Sequence, residues 1–226
     1  MAGSQPSLKR FYLVILGVAV VGAVLLWWVT RPKGPTSIPI AVDIQPSDTA
    51  GFQGYVLGPD SAPVTVIEYA DYQCPACQSF DLVQFPTVRE RLVSTGRIRY
   101  IYRDYPLDSI HQWARLAAHA AACVDEQGKF WEFKDALYRS QTEWAFSRNA
   151  GTRFRETAGG LGVDLPAYDE CMSSLRYAGR IQAGQTEGTR LGVNATPTFI
   201  IGGRLYQRLG TYDQMRAVVD SLSQNP

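Results

Sequence analysis

A long uncharged stretch is the first feature of the hydrophobic pattern, at 11–30 with the sequence FYLVILGVAVVGAVLLWWVT. Its length fits the roughly 20 residues that an α-helix needs to cross a bilayer. A cleaved secretory signal is the alternative, but its apolar core spans about 7 to 15 residues and a small-residue cleavage site follows it. Here Trp27 and Trp28 lie near the end of the run, at the place of an interfacial aromatic belt. We predict an uncleaved transmembrane signal anchor, behind a short tail at 1–10.

The residues after the anchor lose this apolar character. Segment 31–51 is rich in Pro, Ser, Thr and Gly and has no sustained apolar period, which predicts a flexible linker before a folded domain at 52–226. Basic residues flank the anchor equally on both sides, so they set no orientation. A domain of this length behind an N-terminal anchor is expected on the extracytoplasmic side of the cell membrane, periplasmic or extracellular.

The folded domain opens with strand patterns. Short apolar runs predict an edge strand at 54–58, a buried β-branched strand at 64–70 and a further strand at 97–103. Between the last two, a helix is predicted at about 75–93, with a kink or break at Pro86.

A helical block separates these strands from a final hairpin. Helical spacing starts behind Asp108 and Ser109, which are capping residues by type, and Gly128 ends that helix. The order of elements predicts an α/β fold with a helical subdomain inserted at about 107–191. The other predicted elements are helices at about 129–140, 151–159, 165–175 and 178–191, strands at 198–201 and 204–206 around Gly202-Gly203, and a last helix at 212–223 capped by Thr211.

The charge composition argues against binding to nucleic acid or to an anionic membrane surface. The 22 Lys and Arg residues nearly cancel the 21 Asp and Glu residues, and no long block of one sign occurs. Such a chain has no electrostatic footprint for nucleic acid or for an anionic membrane surface. With 226 residues and 46% apolar content, the chain can build one well-buried domain beside its attachment.

Two thiols three positions apart, Cys74 and Cys77 in the sequence CPAC, follow the buried strand. A thiol reacts as its thiolate, and a helix N-terminus stabilises a thiolate through free backbone N–H groups. Cys74 would occupy that place, while Cys77, one turn later, suits a resolving role. Zinc needs four ligands, but the chain has no second Cys-x-x-Cys pair, and His111 and His119 have the pattern of ordinary helix residues. The motif therefore favours redox chemistry and no metal site; copper has no supporting pattern either.

Two further positions stay open on the residues alone. Glu68 lies inside an apolar run, so it is either a buried carboxylate or a solvated residue at a frayed strand end. Thr196-Pro197 precedes the hairpin, and proline is tolerated at the first residue of a strand. Because about one X-Pro bond in twenty is cis, the sequence alone favours a trans bond.

Three segments together resemble the DsbA-like thiol:disulfide oxidoreductases of the thioredoxin superfamily. They are EYADYQCPAC at 68–77, the helical block, and GVNATPTFIIGG at 192–203, and the resemblance covers 54 to the C-terminus. It implies a thioredoxin-like fold and an enzyme that introduces disulfides into exported client proteins by exchange through the two cysteines. No cofactor is expected. The implied electron acceptor is a quinone-linked membrane redox partner of the DsbB or vitamin K epoxide reductase type, beside which the anchor would hold the domain.

The resemblance also implies roles for individual residues. Cys74 would be the nucleophile that forms mixed disulfides, and Cys77 would resolve them. Glu68 would be the buried acid that relays protons for the resolving cysteine. Pro197 would be a cis-proline facing the pair, and Thr196 would offer backbone groups to an extended client segment.

One residue of the motif departs from the family pattern. The best-known oxidants have histidine before the second cysteine, where this chain has Ala76, so a donor to the thiolate is missing. Near the motif, the aromatic side chains either surround a client groove or belong to the core, and of these we assign Tyr72 to substrate binding. The four aromatic residues are Tyr69, Tyr72, Phe80 and Phe85.

A second cysteine pair lies in the helical block. A bond between Cys123 and Cys171 would close a loop of about fifty residues and contribute roughly 4 kcal/mol by loop entropy. Two buried free thiols are the alternative. Because some members of the similar family carry a second bridge, the resemblance favours a structural disulfide.

Two rival functions remain at this stage. One is a thiol reductase or disulfide isomerase of the same fold, because the direction of exchange depends on the thiol pKa and on the partner. The other is a non-enzymatic tethered folding or metallochaperone module.

Overall fold

The computed structural model describes residues 8–30, 52–207 and 209–224, in two units that divide between residues 33 and 34. The predicted linker at 31–51 and most of the N-terminal tail lie outside these residues. In the first unit, helix α1 spans Leu8–Thr30 and so begins three residues before the predicted anchor. Its segment Tyr12–Thr30 is long and apolar enough to cross a membrane.

A mixed sheet organises the second unit. In chain order its described strands are β1 (Tyr55–Leu57), β2 (Val64–Ala70), β3 (Ile98–Asp104), β4 (Thr198–Ile201) and β5 (Arg204–Tyr206), and their order across the sheet is β1-β3-β2-β4-β5. The central pair β2 and β3 is parallel, and the other pairs are antiparallel. A parallel pair needs a long crossover, and residues 75–93 supply it as helix.

The crossover helix is irregular. It consists of α2 (Pro75–Ser79), a π-helical stretch, α3 (Phe85–Val88) and a second π-helical stretch. Pro86 lies in the first turn of α3, where its missing N–H is tolerated, so the predicted kink coincides with a change of helix type. The π-helical stretches are Phe80–Gln84 and Arg89–Val93.

The helical insertion follows β3 and differs from its prediction at two points. Helix α4 begins at Ala114, not behind Asp108, because the Asp108 carboxylate accepts hydrogen bonds from the Arg115 guanidinium at 2.5 and 2.9 Å and caps no helix. A four-residue helix, α6, had no sequence prediction. The helices after β3 are α4 (Ala114–Asp125), α5 (Phe130–Arg139), α6 (Gln141–Trp144), α7 (Ala150–Gly160), α8 (Leu165–Ser173), α9 (Ala178–Arg190) and, after the hairpin, α10 (Tyr212–Gln224).

Two large apolar clusters fill the domain. One joins the helical insertion to Ala70 and Tyr102 of the sheet. The other joins the crossover helix and α10 to Val66 and Phe199. Cys74 and Cys77 belong to the first cluster, so the reactive segment is anchored on the side of the insertion.

Candidate active site

Cys74 is the N-cap residue of α2, with extended backbone angles of φ −74° and ψ 122°, and Pro75 starts the helix. The Cys74 N–H donates to the Asp71 carbonyl at 3.1 Å, which fixes the turn between β2 and α2. Cys74 is 7% exposed and Cys77 is fully buried, both as free thiols. An incoming thiol can therefore reach the first sulfur and not the second.

The two thiols have opposite acidities. A hydrogen bond from Cys77 is the largest cause that lowers the pKa of Cys74 to about 6, although burial opposes it. Thr196 and the backbone N–H groups of Ala76 and Cys77 at the helix N-terminus also lower it. Burial raises the pKa of Cys77 well above that of an ordinary thiol. Cys74 is thus the thiolate of the pair at neutral pH.

Thr196 lies against Cys74 from the other side of the site. The Cys74 thiol donates to the Thr196 carbonyl at 3.3 Å, and the Thr196–Pro197 peptide is cis. The Thr196 hydroxyl is buried and has no hydrogen-bond partner among the described residues. When Cys74 ionises it loses its own donor, so this hydroxyl is then a group that can turn to donate to the sulfur.

Glu68 is a buried carboxyl on β2. It is 4% exposed, so the alternative of a solvated strand end does not hold. Burial raises the pKa of Glu68 to about 7, although the Tyr100 hydroxyl donates to its carboxylate at 2.5 Å and the Lys134 ammonium lies near enough to lower the pKa. A carboxyl of this pKa can both give and take a proton near neutrality.

Lys134 brings the helical insertion into this buried charge network. It is 1% exposed on α5 and forms an ion pair with Asp81 of the crossover helix. Burial raises the pKa of Asp81, while Lys134 opposes that rise. Neither residue was singled out in the sequence, since a charged residue at helical spacing normally faces solvent.

A shallow cavity of about 330 Å³ opens beside the cysteines. It lies between the crossover helix and the segment that follows β5. Its lining includes Ala76, Phe80, Thr196, Pro197, Gln207 and Leu209. Gln207 and Leu209 had no signal in the sequence, because they lie in a loop after the hairpin.

Tyr72 does not fit the predicted substrate-binding role. Its side chain is 1% exposed and packs against the rings of Tyr102 and Tyr138. The other three aromatic residues near the motif are buried as well, in agreement with the core interpretation. These are Tyr69, Phe80 and Phe85.

His111 is not the helix residue that its spacing indicated. It lies in the turn before α4, where its Nδ1 atom is 2.8 Å from Oδ2 of Asp71. Asp71 is fully buried and also accepts the backbone N–H groups of Gln73 at 2.6 Å and Leu107 at 2.7 Å. The residue pair is separated by forty positions, so no local pattern could have predicted it.

The second cysteine pair forms a disulfide between α4 and α8. Cys123 and Cys171 are bonded, and both are buried. His119, one turn before Cys123, is also buried, and burial lowers the pKa of its imidazole to about 4. The prediction of ordinary helix residues is therefore right for His119 and wrong for His111. Among the described residues, no group of three or more His, Cys, Asp or Glu side chains could hold a metal ion.

A family model described as Thioredoxin matches residues 52–221, which is most of the domain. The chain belongs to this thioredoxin family. Its membership confirms the predicted thioredoxin-like α/β fold with a helical insertion, and the crossover with its N-terminal Cys-x-x-Cys pair lies wholly inside the matched residues.

Known relatives carry two different names. The Na(+)/H(+) antiporter NhaA 3 of Salinispora tropica is 39% identical over 168 residues, which cover 74% of this chain and 24% of that protein. This chain thus spans about a quarter of the antiporter's length. Disulfide bond formation protein D of Bacillus subtilis is 25% identical over 171 residues, covering 73% of this chain and 75% of that protein.

A solved structure shows a similar fold. Wolbachia pipientis alpha-DsbA1 superposes with a TM-score of 0.69 at 24% identity, over 76% of this chain and 92% of that one. The DsbA-like resemblance read from the sequence is therefore confirmed for the fold.

Proposed function

We propose that the chain is a thiol:disulfide oxidoreductase that introduces disulfides into exported client proteins through Cys74 and Cys77. The observation that carries the proposal is the contrast between the two thiols: Cys74 keeps 7% of its surface exposed and has a pKa of about 6, and Cys77 is fully buried with a raised pKa. A stabilised thiolate in the reduced form makes the corresponding disulfide a stronger oxidant. The relative named for disulfide bond formation supports this direction.

The first exchange step follows from accessibility. A client thiolate attacks the Cys74 sulfur of the protein disulfide, since that sulfur is the exposed one, and Cys77 leaves. A thiol with a raised pKa is a poor leaving group as the anion, so it needs a proton. Glu68, with a pKa of about 7, is the buried acid that we assign to supply it.

The second step releases the oxidised client. The client's other thiolate attacks the mixed disulfide, and Cys74 leaves as a stabilised thiolate. We assign the cavity beside the cis Thr196–Pro197 bond to the client segment, with Thr196 and Pro197 as its contact residues. The Cys123–Cys171 disulfide takes no part in exchange and is assigned a structural role.

The cellular setting is part of the proposal. Helix α1 is long and apolar enough to support attachment to the cell membrane by a single span. We assign the domain to the extracytoplasmic side, where exported clients are found. Reoxidation of the dithiol requires an acceptor of electrons, and we assign this to a quinone-linked membrane partner. Na⁺/H⁺ exchange is not assigned to this chain, because the match to the antiporter covers 24% of that protein.

The test is exchange with a reduced client protein, followed by mass spectrometry. We expect Cys74→Ser to abolish oxidation. The Cys77→Ser variant, given a client that already carries a disulfide, should accumulate a mixed disulfide at Cys74, because the Cys74 thiolate displaces one client thiolate and no second thiol resolves the product. Full activity of the Cys74→Ser variant would exclude the proposal. A Cys123→Ala and Cys171→Ala double variant is the control, and it should retain exchange wherever it folds.

The direction of exchange has its own measurement. Equilibration of Cys74–Cys77 with glutathione buffers gives the reduction potential of the pair. A value near or above about −150 mV supports the oxidant, and a value near about −270 mV supports the rival reductase. Stoichiometric copper uptake by the dithiol without catalytic exchange would support the metallochaperone instead.

A further inference from the structure

The imidazole of His111 stands beside the segment that presents Cys74. Asp71 precedes that segment, and its carboxylate holds both the Gln73 backbone N–H and the His111 ring. Gln73 in turn accepts the N–H of Trp113 at 2.8 Å, so the turn that carries His111 is bonded to the segment before Cys74 at two residues, Asp71 and Gln73. The ring is thus held by its hydrogen bond to Asp71.

The surroundings of His111 suit a group that exchanges protons. Its side chain is 14% exposed, so water can reach it, whereas Asp71 is fully buried. A hydrogen bond to Asp71 is the main cause that raises the pKa of His111, and an ionised Cys74 raises it further, against the effect of burial. Asp108, the other charged residue of its turn, is bonded to Arg115 of α4.

The exchange reaction releases one proton that the cysteine pair does not keep. A client dithiol that becomes a disulfide gives up two electrons and two protons. The electrons reduce the Cys74–Cys77 disulfide, and Cys77 ends as a thiol with one of the protons. Cys74 ends as a thiolate at neutral pH, so the second proton is released from the cysteine pair, to a nearby side chain or to solvent. Within the motif, the side chains of Pro75 and Ala76 cannot accept it.

We propose that His111 accepts this second proton, so that an imidazolium forms beside Cys74 as the disulfide is reduced and is lost when the pair is reoxidised. The inference rests on the proposed exchange function. His111 acts through charge on Cys74 and is a positioning residue, since no contact between the two side chains is required. The coupling is reciprocal: the Cys74 thiolate raises the pKa of His111 by the same amount as the imidazolium lowers the pKa of Cys74.

The direct test is the titration of the His111 ring by NMR in the oxidised and the reduced full-length chain, labelled at histidine and held in detergent micelles. The chain contains two histidines, so the spectrum holds two ring signals. We expect the His111 pKa to rise by roughly one unit on reduction of Cys74–Cys77. His119 is the internal control, because it is buried with a pKa of about 4 and packs near the other cysteine pair. A His111 pKa that is equal in both redox states would overturn the proposal.

Two variants separate charge from structure. His111→Gln removes the charge and keeps a donor for Asp71, whereas His111→Lys supplies a fixed cation. We expect the Gln substitution to raise the Cys74 pKa by roughly one unit. The equilibrium constant for reduction of the Cys74–Cys77 disulfide by glutathione should then fall about tenfold, which lowers the reduction potential by about 30 mV. The reduction potential of the Lys variant should stay near that of the wild type at low pH, where His111 is also charged. Its plot of potential against pH should lack the change in slope that the titration of His111 produces in the wild type. Equal losses in both variants would indicate a structural role and contradict the inference.

Failure of the proposed function looks different from failure of this inference. Glutathione can set the redox state of Cys74–Cys77 whether or not a client protein is oxidised. A chain that shows the His111 shift but does not oxidise a client would exclude the function and keep the proton coupling. A chain that oxidises a client without the shift would keep the function and exclude the coupling.

Discussion

Glu68 is a buried ionisable residue within the otherwise mostly apolar strand β2. The carboxyl is buried on β2 at a pKa of about 7, so it is partly protonated at neutral pH. We expect Glu68→Gln to slow reaction of the oxidised pair with a client thiol about a hundredfold, since Cys77 then leaves without an acid. The rate of mixed-disulfide formation in single-turnover experiments measures this.

The control for Glu68 is its hydrogen-bond donor. Tyr100→Phe keeps the acid and removes the bond that lowers its pKa, so the pH at which the rate declines should move upward. The difference between wild type and Glu68→Gln should shrink above about pH 8, where Glu68 is ionised. A constant ratio of the two rates from pH 6 to 9 would show that Glu68 does not act as the acid.

Asp104 provides a pH test away from the cysteines. Burial raises its pKa from 3.8 to about 7, so the folded state holds a proton that the unfolded state has lost between those pH values. Asp104 therefore contributes a loss of stability as pH rises from about 4 to 7, on the order of a few kcal/mol. We expect Asp104→Asn to be less sensitive to pH in this window, measured by urea unfolding at pH 5 and pH 8.

The comparison for Asp104 is an exposed carboxylate. Asp213→Asn on α10 changes a side chain that is 80% exposed, and it should follow the wild-type pH dependence. An Asp104→Asn variant with the wild-type dependence would mean that Asp104 is ionised in the folded state.

At the scale of elements, the disulfide between α4 and α8 links two helices of the insertion covalently. It closes a loop over a sequence separation of 48 residues. By loop entropy, loss of both Cys123 and Cys171 should lower the free energy of unfolding by about 4 kcal/mol. Chemical denaturation of the double alanine variant measures this loss. A variant as stable as the wild type would show that packing alone holds the two helices together.

Elements with a strong local pattern were predictable from the sequence. Strand β2, the helix after it and the Gly202-Gly203 hairpin come from apolar periodicity and turn residues, and the structure has them within one or two residues. The start of α4 was missed because Asp108 is bound by the side chain of Arg115. Local rules describe caps by residue type and do not include such a competing partner.

The site was predictable to a smaller extent. The position of Cys74 at a helix N-terminus follows from the strand and Pro75 alone. The contacts of Asp71 with His111 and of Asp81 with Lys134 join residues forty or more positions apart. Such pairs depend on how the insertion packs against the sheet, and a single sequence does not contain that information in any local pattern.

At the scale of the whole molecule, the side of the membrane on which the domain lies can be tested by labelling. A single span places its two ends on opposite sides of the membrane. We expect a membrane-impermeant maleimide to modify reduced Cys74 in intact cells that express the full chain. The matched control is Ser7→Cys in a Cys74→Ser background, which should react only after permeabilisation. The reverse labelling pattern would place the domain in the cytoplasm.

The Cys123–Cys171 bond also bears on how the molecule matures. A newly synthesised copy carries these two cysteines as thiols, 48 positions apart, and the disulfide forms only when they are oxidised. Under the proposed function, such a copy belongs to the same chemical class as the clients on which a finished copy acts. An oxidised, folded copy can therefore form the Cys123–Cys171 disulfide of a newly synthesised copy, so the protein can catalyse its own maturation.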